Sequence, residues 1–105
     1  MAFVKVALLD QVKEGQPFLV RVESQRFCLV RLTNKIFAFN DSCPHKGGSL
    51  SEGRMEEGLI TCPLHQWKFD VKTGQCPGTA SVKVRTFPVR IKGMEVLVDV
   101  PDPYA

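Results

Sequence analysis

Hydrophobic residues in this chain recur mostly at every second position, in short runs separated by turn residues, and no window holds a sustained helical period. Period two suits a strand with one face buried in a sheet. Residues 3–9 read as a first strand and residues 10–16, with Gly15, as a loop. In residues 17–22, Phe18, Val20 and Val22 alternate with Leu19 and Arg21, which predicts a second strand. Residues 26–32 and 35–39 read as a hairpin around Thr33-Asn34, because asparagine tolerates the backbone of a tight turn. Residues 59–61 and 67–71 read as short strands, with Thr73-Gly74 turning the chain after them. Residues 82–86, 89–92 and 95–100 complete the set, with Lys92-Gly93 at the last hairpin and Pro101-Asp102-Pro103 ending sheet pairing. Residues 49–57 hold at most one turn of helix. The pattern predicts an all-β domain of several small antiparallel sheets.

Composition narrows this only slightly. With 105 residues the chain suits one domain with a modest core. Hydrophobic residues at 44% and charged residues at 24% are ordinary for a globular protein and exclude a disordered chain. There is no apolar stretch long enough to span a bilayer, and the first residues lack the apolar core of a signal peptide. A cytoplasmic protein without membrane contact is expected. The formal charge is +3, but Lys5, Lys13, Arg21, Arg26, Arg31, Lys83, Arg85 and Arg90 are scattered as on solvated strand faces. No basic run carries interleaved aromatics, so no nucleic-acid partner is expected.

The candidate chemistry lies between Cys43 and Trp67. One end reads Cys43-Pro44-His45-Lys46-Gly47-Gly48 and the other Cys62-Pro63-Leu64-His65-Gln66-Trp67, with sixteen residues between His45 and Cys62. Two such loops face to face offer two sulfur and two nitrogen ligands to a metal. A tetrahedral structural zinc accepts that set, but common zinc spacings pair cysteine with cysteine and histidine with histidine, whereas this chain pairs unlike ligands. A metal-free reading makes all four ordinary core or surface residues. It has to treat two Cys-Pro steps, each with a nearby histidine, as coincidence. Cys28 and Cys76 remain. Both are read as structural thiols; a bond between them is open but lacks support, and a reducing compartment opposes it.

Cys-x-His followed by Cys-x-x-His resembles the Rieske iron–sulfur proteins. So do Leu50-Ser51-Glu52-Gly53, the approach Gly58-Leu59-Ile60-Thr61-Cys62, and Phe69-Asp70 with Thr73-Gly74. The resemblance implies one [2Fe–2S] cluster, with Cys43 and Cys62 on a buried iron and His45 and His65 on an outer one. It implies a base of outer strands with an inserted cluster-binding subdomain at about residues 40–78 of a single domain spanning 1–105. Pro77-Gly78 looks like the family's third loop over the cluster, with a plain strand-linking turn as the competing reading. Trp67 reads as a core residue of the insert.

The implied centre is neutral when oxidised: two ferric ions, two sulfides, two thiolates and two neutral imidazoles sum to zero, whereas four thiolates leave two negative charges. Electrons therefore enter it more easily than a plant-type cluster. High-potential relatives carry a disulfide across the loops and hydroxyl donors to sulfur. The matching positions here are Gly48 and Leu64 for the disulfide, and Trp67 and Phe69 for the hydroxyls. Lacking donors that favour the reduced cluster, this chain is expected near the low end of the Rieske range of about −150 to +300 mV. Gln66 departs from the family, where glycine is frequent.

The resemblance implies a one-electron carrier, expected as a monomer, between a reductase and a terminal oxygenase or related enzyme, with His45 and His65 as the exit. The chain is not itself an oxygenase, since a mononuclear iron needs two further histidines and both histidines here serve the cluster. Lys46 and Lys68 flank the histidines and either steer an acidic partner or simply aid solubility. The alternatives are the small subunit of an assimilatory nitrite reductase, a zinc-stabilised interaction module and, less readily, a redox sensor.

Overall fold

The computed structural model describes residues 2–44, 47–64 and 66–101. Its central hairpin is the one that the alternation predicts. We number its strands in chain order, so that β3 is Gln25–Leu32 and β4 is Lys35–Asn40. Thr33 and Asn34 both have positive φ, 51° and 62°, which matches the twist of a two-residue hairpin turn. The Glu14 carboxylate accepts hydrogen bonds from both turn amides, at 2.8 and 3.4 Å, and so offsets some of the cost of that backbone. With β2 (Phe18–Val22) and β10 (Thr86–Phe87), the hairpin forms a sheet of order β10-β4-β3-β2.

Residues 27–30 of β3 are all buried, which requires both faces of this sheet to be covered. Alternation divides them between two cores. Phe27 and Leu29 of β3, with Ile36 and Ala38 of β4, enter a base core beside Val96 and Val98. Cys28, Val30 and Phe39 point the other way, into a second core that contains Cys43, Cys62, Phe69 and Cys76. The sheet is thus a partition between a base and the candidate site.

The base is closed by β1 (Ala2–Leu8), β11 (Val89–Lys92) and β12 (Glu95–Val100) in the antiparallel order β1-β12-β11. Phe27 and Phe87 meet edge to face at 5.0 Å within the base core. On the other side of the partition, and between β4 and β10 in sequence, lie two small sheets. One is β5 (Arg54–Glu56), β6 (Leu59–Thr61) and β7 (Lys68–Asp70); the other pairs β8 (Gln75–Cys76) with β9 (Thr79–Lys83). No helix among the described residues is long and apolar enough to cross a membrane.

Two expectations fail locally. The predicted strand 82–86 is two strands, because the chain changes sheets: β9 pairs with β8, whereas β10 pairs with β4. At the break the Val84 amide donates to the Gly74 carbonyl at 2.8 Å. Gly74 has φ +82°, and a β-carbon there would overlap the Val84 carbonyl oxygen. Residues 49–57 are also more than a helical turn. A 3-10 turn, Leu50–Glu52, leads directly into β5, which is too short for its alternation to show in the sequence.

No disulfide joins any of the four cysteines, so Cys28 and Cys76 share the second core without a bond. Burial pushes the Cys28 thiol above its ordinary value of 9.0, the Asp41 charge adds to the rise, and a hydrogen bond to the Phe18 backbone opposes it. The folded state therefore keeps this proton at pH values where the unfolded chain loses it. Stability falls as pH rises through the unfolded value, by at most about 1.4 kcal/mol per pH unit. Cys28→Ala removes this dependence. Denaturant unfolding should show the stability gap between wild type and variant narrowing by roughly 1–3 kcal/mol between about pH 8 and pH 11. A constant gap would mean that Cys28 ionises alike in both states.

Candidate metal centre

The two cysteine loops share one backbone design. In the first, residues 43–48, the Cys43 amide donates to the Gly48 carbonyl at 2.8 Å, and Gly47 N–H returns to the Cys43 carbonyl at 2.7 Å. In the second, residues 62–67, the Cys62 amide donates to the Trp67 carbonyl at 2.7 Å. Each closure thus runs from the cysteine amide to the carbonyl five residues on. Each cysteine is followed by an exposed proline, Pro44 or Pro63, and the fourth residue after each cysteine is left-handed: Gly47 at φ +74° and Gln66 at +59°. Glycine meets that demand without strain, whereas glutamine pays for it. The loop path that Gln66 left uncertain from sequence is therefore kept.

The loops differ in what carries them. The second sits on the β6–β7 hairpin, with Thr61 paired to Lys68 immediately outside it. That hairpin also depends on Gly53, where a β-carbon would overlap the Thr61 carbonyl oxygen. The first loop has only an isolated bridge, Ser42 to Ser49, at its base.

These supports bring the sulfurs together. Cys43 is 3% exposed and Cys62 fully buried, in the same core. Burial raises the Cys62 thiol above its ordinary value, the Leu64 backbone pulls it down, and the adjacent Cys43 thiol raises it further. Two neighbouring buried thiols suit a pair of thiolate ligands to one metal ion, whose positive charge would offset the cost of ionising both in a buried place. A β-carbon on Gly48 would lie 3.2 Å from Cys62 Sγ and 3.1 Å from Leu64 Cγ. Positions 48 and 64 therefore face each other across the loops, where the resemblance puts the disulfide of high-potential relatives. Here a hydrogen atom meets an isobutyl group.

His45, Lys46 and His65 lie outside the described residues. Trp67 is half-buried against the second core and Phe69 is fully buried in it, so neither brings a hydroxyl to the site. Pro77-Gly78 is the turn of the β8–β9 ribbon, with Cys76 paired to Thr79 across it. Its Pro77, with Cys76 and Thr79, also walls a groove of about 370 Å³ against Gln66, Trp67 and Lys68 of the second loop region. The strand-linking turn is thus observed, and it lies beside the second cysteine loop. Asp41 and Thr61, each just before a cysteine loop, were not evident from the motif. Asp41 is completely buried and hydrogen-bonded, and the buried Thr61 hydroxyl has no partner among the described residues.

Replacing Gln66 by glycine should stabilise the protein. Relief of about 1–2 kcal/mol of left-handed strain exceeds the roughly 0.4–1 kcal/mol lost to a freer unfolded chain. The melting midpoint should rise by a few degrees, and Gln66→Val should lower it, since a β-branched residue is a worse fit at positive φ. Equal midpoints for all three would contradict the left-handed backbone.

Comparison with known proteins agrees with this geometry. The family model described as Rieske [2Fe-2S] domain matches residues 2–88. The chain is 35% identical over 97 residues to the ferredoxin component of the naphthalene 1,2-dioxygenase/salicylate 5-hydroxylase systems of Ralstonia sp, covering 91% of this chain and 93% of that one. The solved ferredoxin of carbazole 1,9a-dioxygenase from Nocardioides aromaticivorans IC177 is similar at TM-score 0.85 and 35% identity, over 93% of this chain and 97% of that one. A chain in the solved complex of reduced oxygenase and oxidized ferredoxin in carbazole 1,9a-dioxygenase is similar at TM-score 0.82 and 32% identity, over 91% of each.

Proposed function

We propose that this chain, which belongs to the Rieske [2Fe-2S] domain family, is a one-electron carrier that passes electrons from a reductase to a terminal oxygenase. It acts as a ferredoxin component of a multi-protein oxidoreductase system and not as the catalyst. The observation that carries the reading is the pair of adjacent buried thiols, Cys43 and Cys62, on two loops of matching backbone. We assign Cys43 and Cys62 to one iron and His45 and His65 to the other, within one domain over residues 1–105 whose cluster-binding part is about 40–78. A cytoplasmic, monomeric protein fits the composition.

When bound, a [2Fe–2S] cluster takes up and releases a single electron. The chain's own residues set how easily. Cys43 and Cys62 hold their side of the site away from water, and Trp67 and Phe69 offer no hydroxyl to sulfur. Both features favour the less charged, oxidised form, so the carrier is a low-potential one.

Electron paramagnetic resonance before and after dithionite tests the assignment. The expected result is a rhombic signal that appears only on reduction, with average g below 2 and a midpoint potential below about +100 mV. A colourless, silent protein holding stoichiometric zinc would replace the carrier by a structural module.

The exposed Lys68 on β7 adjoins the second loop. With Lys46, it supplies positive charge to steer an acidic docking face. Reversing both charges, Lys46→Glu with Lys68→Glu, should slow electron transfer to the oxygenase several-fold at low salt and flatten its salt dependence. An unchanged rate and an unchanged salt slope would leave both residues a role in solubility alone.

A further inference from the structure

The first loop lacks the strand ladder that carries the second, yet it has to hold Cys43 equally still. What replaces the ladder is a single carboxylate. Asp41 is completely buried, two residues before Cys43. Its Oδ2 accepts a hydrogen bond from the Ser49 hydroxyl at 2.5 Å, and its Oδ1 accepts the Ser51 amide at 2.8 Å. Its backbone carbonyl accepts the Leu50 amide at 2.7 Å. One residue before the loop thus grips three consecutive residues after it.

The clamp is itself fixed to the partition sheet. The Asp41 amide donates to the Arg26 carbonyl at 3.2 Å, and the Arg26 guanidinium stands 4.0 Å from Oδ2. The same guanidinium donates to Ser42 Oγ at 2.9 Å, so β3 holds the near flank of the loop at two successive residues. A buried carboxylate is costly unless its acceptor positions are filled. Here they are filled by groups whose only shared consequence is to close the loop.

We propose that Asp41 is the positioning residue of the first loop: by tying residues 49–51 to β3, it sets where the Cys43 sulfur stands relative to Cys62. The proposal rests on Cys43 being a cluster ligand, as argued above. Without the carboxylate, the flanks would be joined only by the Ser42–Ser49 bridge, whose backbone bonds are Cys43 N–H to the Gly48 carbonyl and Leu50 N–H to the Asp41 carbonyl, and the cysteine side of the cluster would be held less firmly.

The test compares wild type, Asp41→Ala, Asp41→Asn and, as a control for general destabilisation, Val98→Ala in the base core. Three quantities are read on the holoprotein: the g values after reduction, the rate of cluster loss to an iron chelator, and amide hydrogen exchange in residues 42–51. Both Asp41 variants should shift the g values, speed cluster loss at least tenfold and accelerate exchange in 42–51 relative to residues 60–70. Asp41→Asn, which keeps one acceptor and removes the charge beside the site, should also raise the midpoint potential. Val98→Ala should leave g values and potential at wild type. Should Asp41→Ala fail to fold, Asp41→Asn and Ser49→Ala carry the same readouts. Wild-type g values and cluster-loss rates in the Asp41 variants would overturn the positioning role. A wild-type protein without a Rieske signal would instead overturn the carrier reading, and the exchange data would still report on the clamp.

Discussion

Two sulfur atoms nineteen positions apart in sequence, Cys43 and Cys62, are held side by side in a buried place, and much of the structure around them serves to keep them there. A loop that enters a core brings amides and carbonyls with it, and each needs a partner. The two loops solve this internally, by bonding the cysteine amide to the carbonyl five residues on. That closure is tight enough to need a left-handed residue at the fourth position after each cysteine. The proline after each cysteine brings no amide to be satisfied. Sequence features that look like motif decoration are thus consequences of burying a turn.

The partition sheet gives those loops a fixed platform. Because β3 and β4 are buried on both faces, their period-two alternation sends every other side chain to the opposite core. Cys28 shows what this requires. It faces the site side, two positions away in sheet logic from Val30 and opposite Phe39, and serves there as a small apolar group whose proton is held by burial. The base core behind it, with Phe27, Leu29 and Val98, keeps the platform rigid without touching the site.

How far the sequence revealed this depended on whether the signal was local. The hairpin at Thr33-Asn34 and the last hairpin at Lys92-Gly93 were legible, since alternation and turn residues coincide there. That Cys43 and Cys62 come together in one core was legible as well, because spacing and proline placement are written in the chain. The break at Val84 was not. It arises from a change of partner strand and a close approach of Gly74, which are tertiary facts. The left-handed Gln66 was hidden because its backbone is imposed by the loop closure against its own preference. Asp41 was hidden because an aspartate before a loop usually reads as a solvated turn residue. Only the positions of Ser49, Ser51 and Arg26 in space show that it is enclosed.

The exterior of the loops completes the argument for a carrier that meets partners briefly. Pro44, Pro63, Leu64 and Gln66 are exposed, Leu64 at 47%, so the described exterior of the loops is small and carries no charge. Redox encounters use small interfaces, and a limited uncharged exterior permits contact without lasting adhesion. Among the described residues, Lys68 sets a positive charge beside that exterior, and charge at the edge of such a contact acts on approach more than on the strength of the complex. The same loops that exclude water from Cys43 and Cys62 therefore present a surface suited to quick release. Burying the Cys62 sulfur and leaving Leu64 exposed are two results of the same tight turn, in which both side chains close on Gly48.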